Sequence, residues 1–231
     1  MIASSTYMLN DYYSRSSTPN VSAARANLLA LAWNATDLMM YDSTADDIAQ
    51  HAATIELISN APASQLTSRS ARSAEVLCGV IANQSRDLGL IPARARTSLV
   101  RALSFLVDAS LSSGGVTFDG TSNVLRTLHE LTLAEMVPGE AAYETSALRL
   151  SLASMKTTCW LGQCSGAELH TAALDDDSSV RRVATYTLTS DTVREMSRDV
   201  ASKCGEDAEL GLEAISFWLQ LLSADFSASA Q

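Results

Sequence analysis

Apolar residues recur at helical spacing through about the first 136 positions and at every second position soon afterwards, and that change of period divides the chain. Ser22 to Met40 reads as a first helix, with Leu28, Leu29, Leu31, Leu38 and Met39 available to a core. Thr44 to Ser59 reads as a second. Ser43 or Thr44 can cap it, Asp46 and Asp47 occupy its positive first turn, and Ile48, Ala52, Ile55 and Ile58 form one stripe. Asn60-Ala61-Pro62 breaks that helix. Thr67 or Ser68 can start a third, whose Ala74, Leu77, Cys78 and Ile81 share a face and which ends at Leu88-Gly89-Leu90-Ile91. Pro92 opens a fourth where proline is tolerated, with Ala95, Leu99, Ala102, Leu103 and Leu106 as its stripe. Ser112-Ser113-Gly114-Gly115 reads as a loop. A fifth helix is expected from Ser122 to Glu135, with Val124, Leu125, Leu128 and Leu131 inward. Short connections between such helices favour an antiparallel bundle or a layered array.

Pro138-Gly139 cannot continue a helix, because proline lacks the N–H and glycine favours the left-handed cap. Leu148, Leu150 and Leu152 then alternate with Arg149 and Ser151, so residues 148–153 read as a strand. Residues 181–189 read as another, Ser190 to Ser202 as a short helix carrying Val193, Met196 and Val200, and residues 212–222 as a strand in preference to a helix. Residues 1–21 are a polar, Tyr-rich, extended lead-in. The expected fold class is therefore α+β: an antiparallel helical subdomain of about five helices over 22–138, then a smaller β-rich subdomain with one short helix over 139–231. The β-rich part is expected to be incomplete, as in a fragment of a longer protein.

With 47% hydrophobic and 18% charged residues among 231, the chain is globular, not disordered. Its net charge of −10 and the lack of a Lys/Arg cluster argue against nucleic acid as a partner. No apolar run approaches the ~20 residues that cross a bilayer, so no membrane contact by this segment is expected. The N-terminal residues lack a signal peptide's basic and apolar regions, which alone would indicate the cytosol. Three glycosylation sequons, at Asn20, Asn34 and Asn83, point the other way. Cys159 and Cys164 flank a glycine at a spacing that suits a small disulfide loop; a pair of free thiols is the alternative. A zinc site would need four ligands, and Cys78, Cys204 and His170 form no second close pair.

No catalytic set stands out. His51 and His129 lie on expected helices, and His170 is the only other histidine. There is no Gly-x-Ser-x-Gly elbow, and Ser112-Ser113-Gly114-Gly115 lacks the Gly-Lys-Ser/Thr of a phosphate loop. Asp175-Asp176-Asp177 lacks alternating calcium-loop spacing and reads as a solvated acidic turn. Catalytic residues, metals and cofactors are thus all expected to be absent. Trp33, Trp160 and Trp218 are candidate interface anchors, Trp160 foremost because it lies inside the cysteine loop. The plainer role for Trp160 is to cover the seam between the two blocks. Cys78, on an apolar face, reads as a buried thiol; Cys204 could pair with it or stay free.

Several phrases in order carry a family likeness. Residues 58–71, Ile-Ser-Asn-Ala-Pro-Ala-Ser-Gln-Leu-Thr-Ser-Arg-Ser-Ala, resemble an interhelical linker of the receptor-for-egg-jelly and GAIN-type extracellular region of polycystin-1-like proteins. Ala102-Leu103-Ser104-Phe105-Leu106 resembles one of that family's helices, and residues 123–140 its last helix, ending in Pro-Gly-Glu before a Thr/Ser-rich strand. The segment leading to Cys159 and Cys164 resembles the first strand of its β-rich subdomain, where a short disulfide loop also occurs. The likeness spans roughly residues 22–165.

The resemblance implies a Cys159–Cys164 bond. It also implies a non-enzymatic interaction or structural module on the cell surface, on a cilium or flagellum, whose partners are other protein chains or the remainder of a larger parent protein. It departs from the family's self-cleaving members. Their His-Leu-Ser/Thr motif is missing, since Glu130 follows His129 and Thr171 follows His170, so no autoproteolysis is expected. The alternative is an intracellular all-α adaptor subunit of a large assembly, with all four cysteines reduced.

Overall fold

The computed structural model describes residues 19–38, 43–113, 115–137, 140–147, 149–160, 163–164, 166–174, 181–195 and 214–222, with the backbone alone at many strand positions. The fold is α+β, helices first and strands after. Among the described residues, five long helices come in order: α1 (Pro19–Leu38), α2 (Ala45–Ser59), α3 (Ser68–Asp87), α4 (Ala93–Ser113) and α5 (Phe118–Glu135). Six strands follow: β1 (Tyr143–Ser146), β2 (Leu150–Trp160), β3 (Gln163–Cys164), β4 (Ala167–Leu174), β5 (Arg181–Leu188) and β6 (Ala214–Leu222).

The helix ends follow from local chemistry. Thr44 caps α2: its side chain accepts from Asp47 N at 3.2 Å, and Asp47 Oδ2 accepts from Thr44 N at 3.0 Å, a reciprocal capping box. Thr44 Oγ1 also donates to the Asp47 carboxylate at 2.6 Å, and this bond, followed by the one from Thr44 N, holds the carboxyl below its usual range. Thr67 caps α3, its side chain accepting from Ser70 N at 3.1 Å. Gly89, at φ +69°, ends α3: Gly89 N donates to Arg86 O at 3.0 Å and Leu90 N to Ser85 O at 3.2 Å, the two bonds of a left-handed glycine cap.

Consecutive helices are antiparallel. Arg86 on α3 reaches Thr127 on α5, and Arg72 reaches Thr117, so α3 and α5 run the same way. One layer is formed by α1, α3 and α5, and a second by α2 and α4. Ile48, Ala52, Ile55, Ile58, Ala74, Leu77, Cys78, Ile81, Leu99, Leu103, Leu106, Leu125 and Leu128 fill the space between, all buried, as the stripes required. Leu150 and Leu152 join the same core, so the first long strand completes the helical interior.

Strand β2 pairs antiparallel with β1 over residues 151–154 on one edge and with β6 over residues 150–158 on the other, and its last two residues pair antiparallel with β3. β4 and β5 form a separate antiparallel ribbon, and β4 packs against β1, β2 and β6. Leu152, Ala153 and Ser154 are consecutive and all buried. Successive strand residues point to opposite faces, so both faces of the sheet are covered at β2. α4 and α5 supply one cover.

Some expectations need correction. α1 begins at Pro19, not Ser22, because proline is tolerated in a first helical turn. Leu31 is 53% exposed rather than in the core, which takes Val21 and Ala32 instead. α4 continues through Ser112 and Ser113, shortening the expected loop, and α5 starts at Phe118, four residues before Ser122, because Thr117 caps it through Gly120 N at 3.0 Å. The strand expected over 148–153 runs from Leu150 to Trp160. β1 and β4 were not anticipated from periodicity. Strand β6 bears out the preference for strand over 212–222. A helical turn covers 190–195 with Val193 buried, whereas Met196 and Val200 lie outside the described residues, as do Met39, Leu148 and residues 1–18.

Candidate functional site

The seam where α4 and α5 meet the sheet gathers the polar chemistry of the chain. Arg96 enters it from the first turn of α4 and is only 6% exposed. Its Nη1 donates to Thr132 Oγ1 on α5 at 2.8 Å and lies 3.9 Å from the Glu135 carboxylate. Its guanidinium carbon sits 3.7 Å from the ring centroid of Tyr143 on β1. Glu135 Oε1 accepts Ile91 N at 2.7 Å, which ties the turn before α4 to the end of α5.

Farther along the seam, His129 Nδ1 lies 2.9 Å from Ser154 Oγ, joining α5 to β2. Burial pulls the imidazole down to about 4, so it stays neutral near pH 7. Arg149, in the β1–β2 turn, donates from Nε to Asp108 Oδ1 at 2.7 Å and from its backbone N to Ser104 Oγ at 2.7 Å. Lys156 Nζ donates to the Met136 carbonyl at 3.1 Å. These four attachments lock the sheet onto the helices with directional bonds, where apolar contact alone would permit sliding.

Cys159 and Cys164 are direct cross-strand partners in the β2–β3 hairpin, next to the Trp160–Gln163 pair. Cys78 is a free, fully buried thiol whose pKa burial pushes up to about 12, which keeps it inert. Cys204 and Asp175-Asp176-Asp177 lie outside the described residues. Asn34 and Asn83 are exposed on α1 and α3; Asn20 stands in the first turn of α1. Trp33 is 39% exposed beside a groove between α1 and α3, and Trp218 pairs with Ser154 in the sheet register. His170 pairs with Thr185 in the β4–β5 ribbon. His51 Nδ1 meets Thr36 Oγ1 at 3.2 Å, far from His129 in the chain, and burial lowers its pKa. The three histidines thus serve three separate places. Among the described residues no three His, Cys, Asp or Glu side chains converge as a metal site, and no helix is long and apolar enough to cross a membrane.

Arg25, Glu75 and Arg96 were not anticipated. Each is a charged residue standing on an apolar stripe and buried there. That position is the signal that could have found them. No protein family, curated protein or solved structure matches the chain.

Proposed function

We propose that this chain is a non-enzymatic extracellular module of a larger surface protein, of the receptor-for-egg-jelly and GAIN kind, that works in assembly or in bearing load. A helical block locked by directional bonds to a covered sheet is suited to passing force or presenting a surface. The observation that carries the reading is the register of Cys159 against Cys164. Directly opposed residues of an antiparallel pair have Cα atoms about 4.5 or 5.5 Å apart, and a disulfide accepts about 4.4–6.8 Å, so either kind of pair admits the bond. Exposed Asn34 and Asn83 also leave two sequons open to glycosylation. The all-α form of the intracellular alternative does not describe a chain that builds six strands.

Non-reducing peptide mapping of protein from its native source tests the proposal. A linked Cys159–Cys164 peptide, with sugar at Asn34 or Asn83, is the expected result. Both thiols recovered free, on an unglycosylated chain, would overturn it.

A further inference from the structure

We propose that the outer face of α1 and the groove beside it bind a second copy of this chain, as an antiparallel pair about a two-fold axis. Between Pro19 and Thr36 the only charged side chain of α1 is Arg25, and it is buried. The solvent side of α1 carries Ala26, Ala30, Leu31 and Trp33, so this helix is apolar on both sides. A helix apolar all round is one that is covered. By contrast, α4 exposes Arg94 and Arg101, and α5 exposes Arg126 and Glu130. A groove of about 370 Å³ runs between α1 and α3, lined by Ala26, Ala30, Trp33 and Ser73 among others. At about 30 Å³ of liquid per water it has room for about twelve waters, enough for one indole ring.

The charges at the ends of this face select a second copy as its occupant. Arg25 reaches Gln65, just before α3, and Gln84 donates to the Thr36 carbonyl, so α1 and α3 run the same way. Arg69, in the first turn of α3, therefore stands at one end of the face and Asp37, in the last turn of α1, at the other. Both are exposed, and neither forms an ion pair with another described residue. Each also stands against its own helix dipole, a cation at the positive end and an anion at the negative end. A face with one sign at each end is complementary to itself when turned end for end. With Ala30 opposite Ala30, Trp33 of each copy lies across from Asn27 of the other, beside its groove, and each Asp37 is brought toward the other copy's Arg69. Helices of 20 residues are about 30 Å long and pack 8–10 Å apart, so the α1–α3 face measures about 30 by 20 Å. Covering it buries about 1,200 Å² over both copies, the lower end of the range for stable interfaces. Elsewhere two copies of net charge −10 repel each other, and the uncharged face is where they can meet.

The pairing does not rest on the surface-module reading: sugar found on Asn34 would block the contact and overturn the pairing, yet leave that reading standing. Sedimentation velocity of the whole chain over about 1–200 μM, a range suited to an interface of this size, is the direct test. A reversible monomer–dimer equilibrium is expected. Ala30→Glu sets two carboxylates together on the axis and should abolish it; the position is exposed, so the fold, followed by circular dichroism, is retained. Leu111→Glu, exposed on α4 in the other layer, should leave the equilibrium unchanged. Asp37→Arg and Arg69→Asp should each weaken the dimer by at least about tenfold, and the double variant should regain most of the affinity. Four results would overturn the assignment: a monomer throughout, a dimer that survives Ala30→Glu, equal loss with Leu111→Glu, or a double variant no tighter than the single ones.

Discussion

The Glu75 carboxylate accepts the backbone N–H of Thr117 at 3.2 Å, so a buried acid on α3 closes the N-terminal end of α5. Thr121 Oγ1 donates to the same oxygen at 3.2 Å, and Arg72 forms an ion pair with the other. Arg72 also donates to Thr117 Oγ1 at 2.9 Å. A negative group at a helix N-terminus is favourable, and here it is desolvated with its bonds made. The arrangement also explains a glycine inside the first turn of α5. A Cβ on Gly120 would lie 2.7 Å from Glu75 Cδ and 2.8 Å from Thr117 Oγ1.

Gly120→Ala is therefore expected to destabilise the fold by about 1–3 kcal/mol, although alanine is intrinsically the better helix former by about 1 kcal/mol. Glu75→Ala should cost a similar amount by leaving Thr117 N–H without its acceptor. In the Glu75→Ala background, Gly120→Ala should cost clearly less, because the obstructing carboxylate is gone and only Thr117 Oγ1 must still give way. Urea unfolding of the four proteins gives the coupling; additive effects would refute the contact.

Gly115 offers a second glycine test with a different cause. It sits at φ +112°, and a Cβ there would meet the Ser68 backbone, 2.8 Å from its Cα. Backbone cannot swing aside as a side chain can. Gly115→Ala should lower stability by more than about 2 kcal/mol and shift the thermal midpoint by several degrees. A midpoint within a degree of the parent would show that the loop relaxes freely.

His129 predicts a pH dependence. Its folded pKa is about 4, below the ordinary 6.5, because burial opposes the charged ring. The unfolded chain therefore binds more protons than the folded one between these values, and stability falls as pH drops through that window. The contribution is fully present above about pH 6.5 and amounts to about 1–3 kcal/mol lost by about pH 4. His129→Gln keeps a polar group opposite Ser154 and should flatten the slope over that range. An unchanged slope in the variant would assign the acid sensitivity to other groups.

Much of the helical block was legible, for physical reasons that also explain where legibility ended. Thr44 and Thr67 announce helix starts because few other residues satisfy those N–H groups, and the Ile48-Ala52-Ile55-Ile58 stripe admits only one buried face. Leu31 looked like core because it is leucine, yet its angular position places it with exposed Asn27 and Asn34. The expected start of α5 at Ser122 fell past Gly120, a poor helix former in isolation, and the reason for glycine there is a carboxylate forty-five residues earlier in the chain. β1, Tyr-Glu-Thr-Ser, is too short to show a period, and β4 is rich in alanine and reads as neither type. The seam was legible only as a change of period. Its bonds join residues such as His129 and Ser154, whose meeting no local pattern encodes.

Arg25 shows how a charged residue on an apolar stripe becomes a fastening. It follows Val21 by four positions and precedes Leu28, Leu29 and Ala32, all buried, and it is itself 0% exposed. Its Nε and Nη2 donate to Gln65 Oε1 at 3.1 and 3.0 Å, and Nη1 donates to the Ile58 carbonyl at 3.1 Å. One side chain thus ties α1 to the end of α2 and to the turn before α3. Burial lowers its pKa to about 10, so it is still charged at neutral pH. A lysine ammonium cannot present donors along two edges of a plane. Arg25→Lys should therefore cost about 2–4 kcal/mol, nearly as much as Arg25→Met, even though it keeps the charge. If the fastening were mainly Coulombic, lysine would rescue it and only methionine would fail. Urea midpoints of the two variants separate these cases, and a lysine variant within about 0.5 kcal/mol of the parent would rule out the forked geometry as the source of its strength.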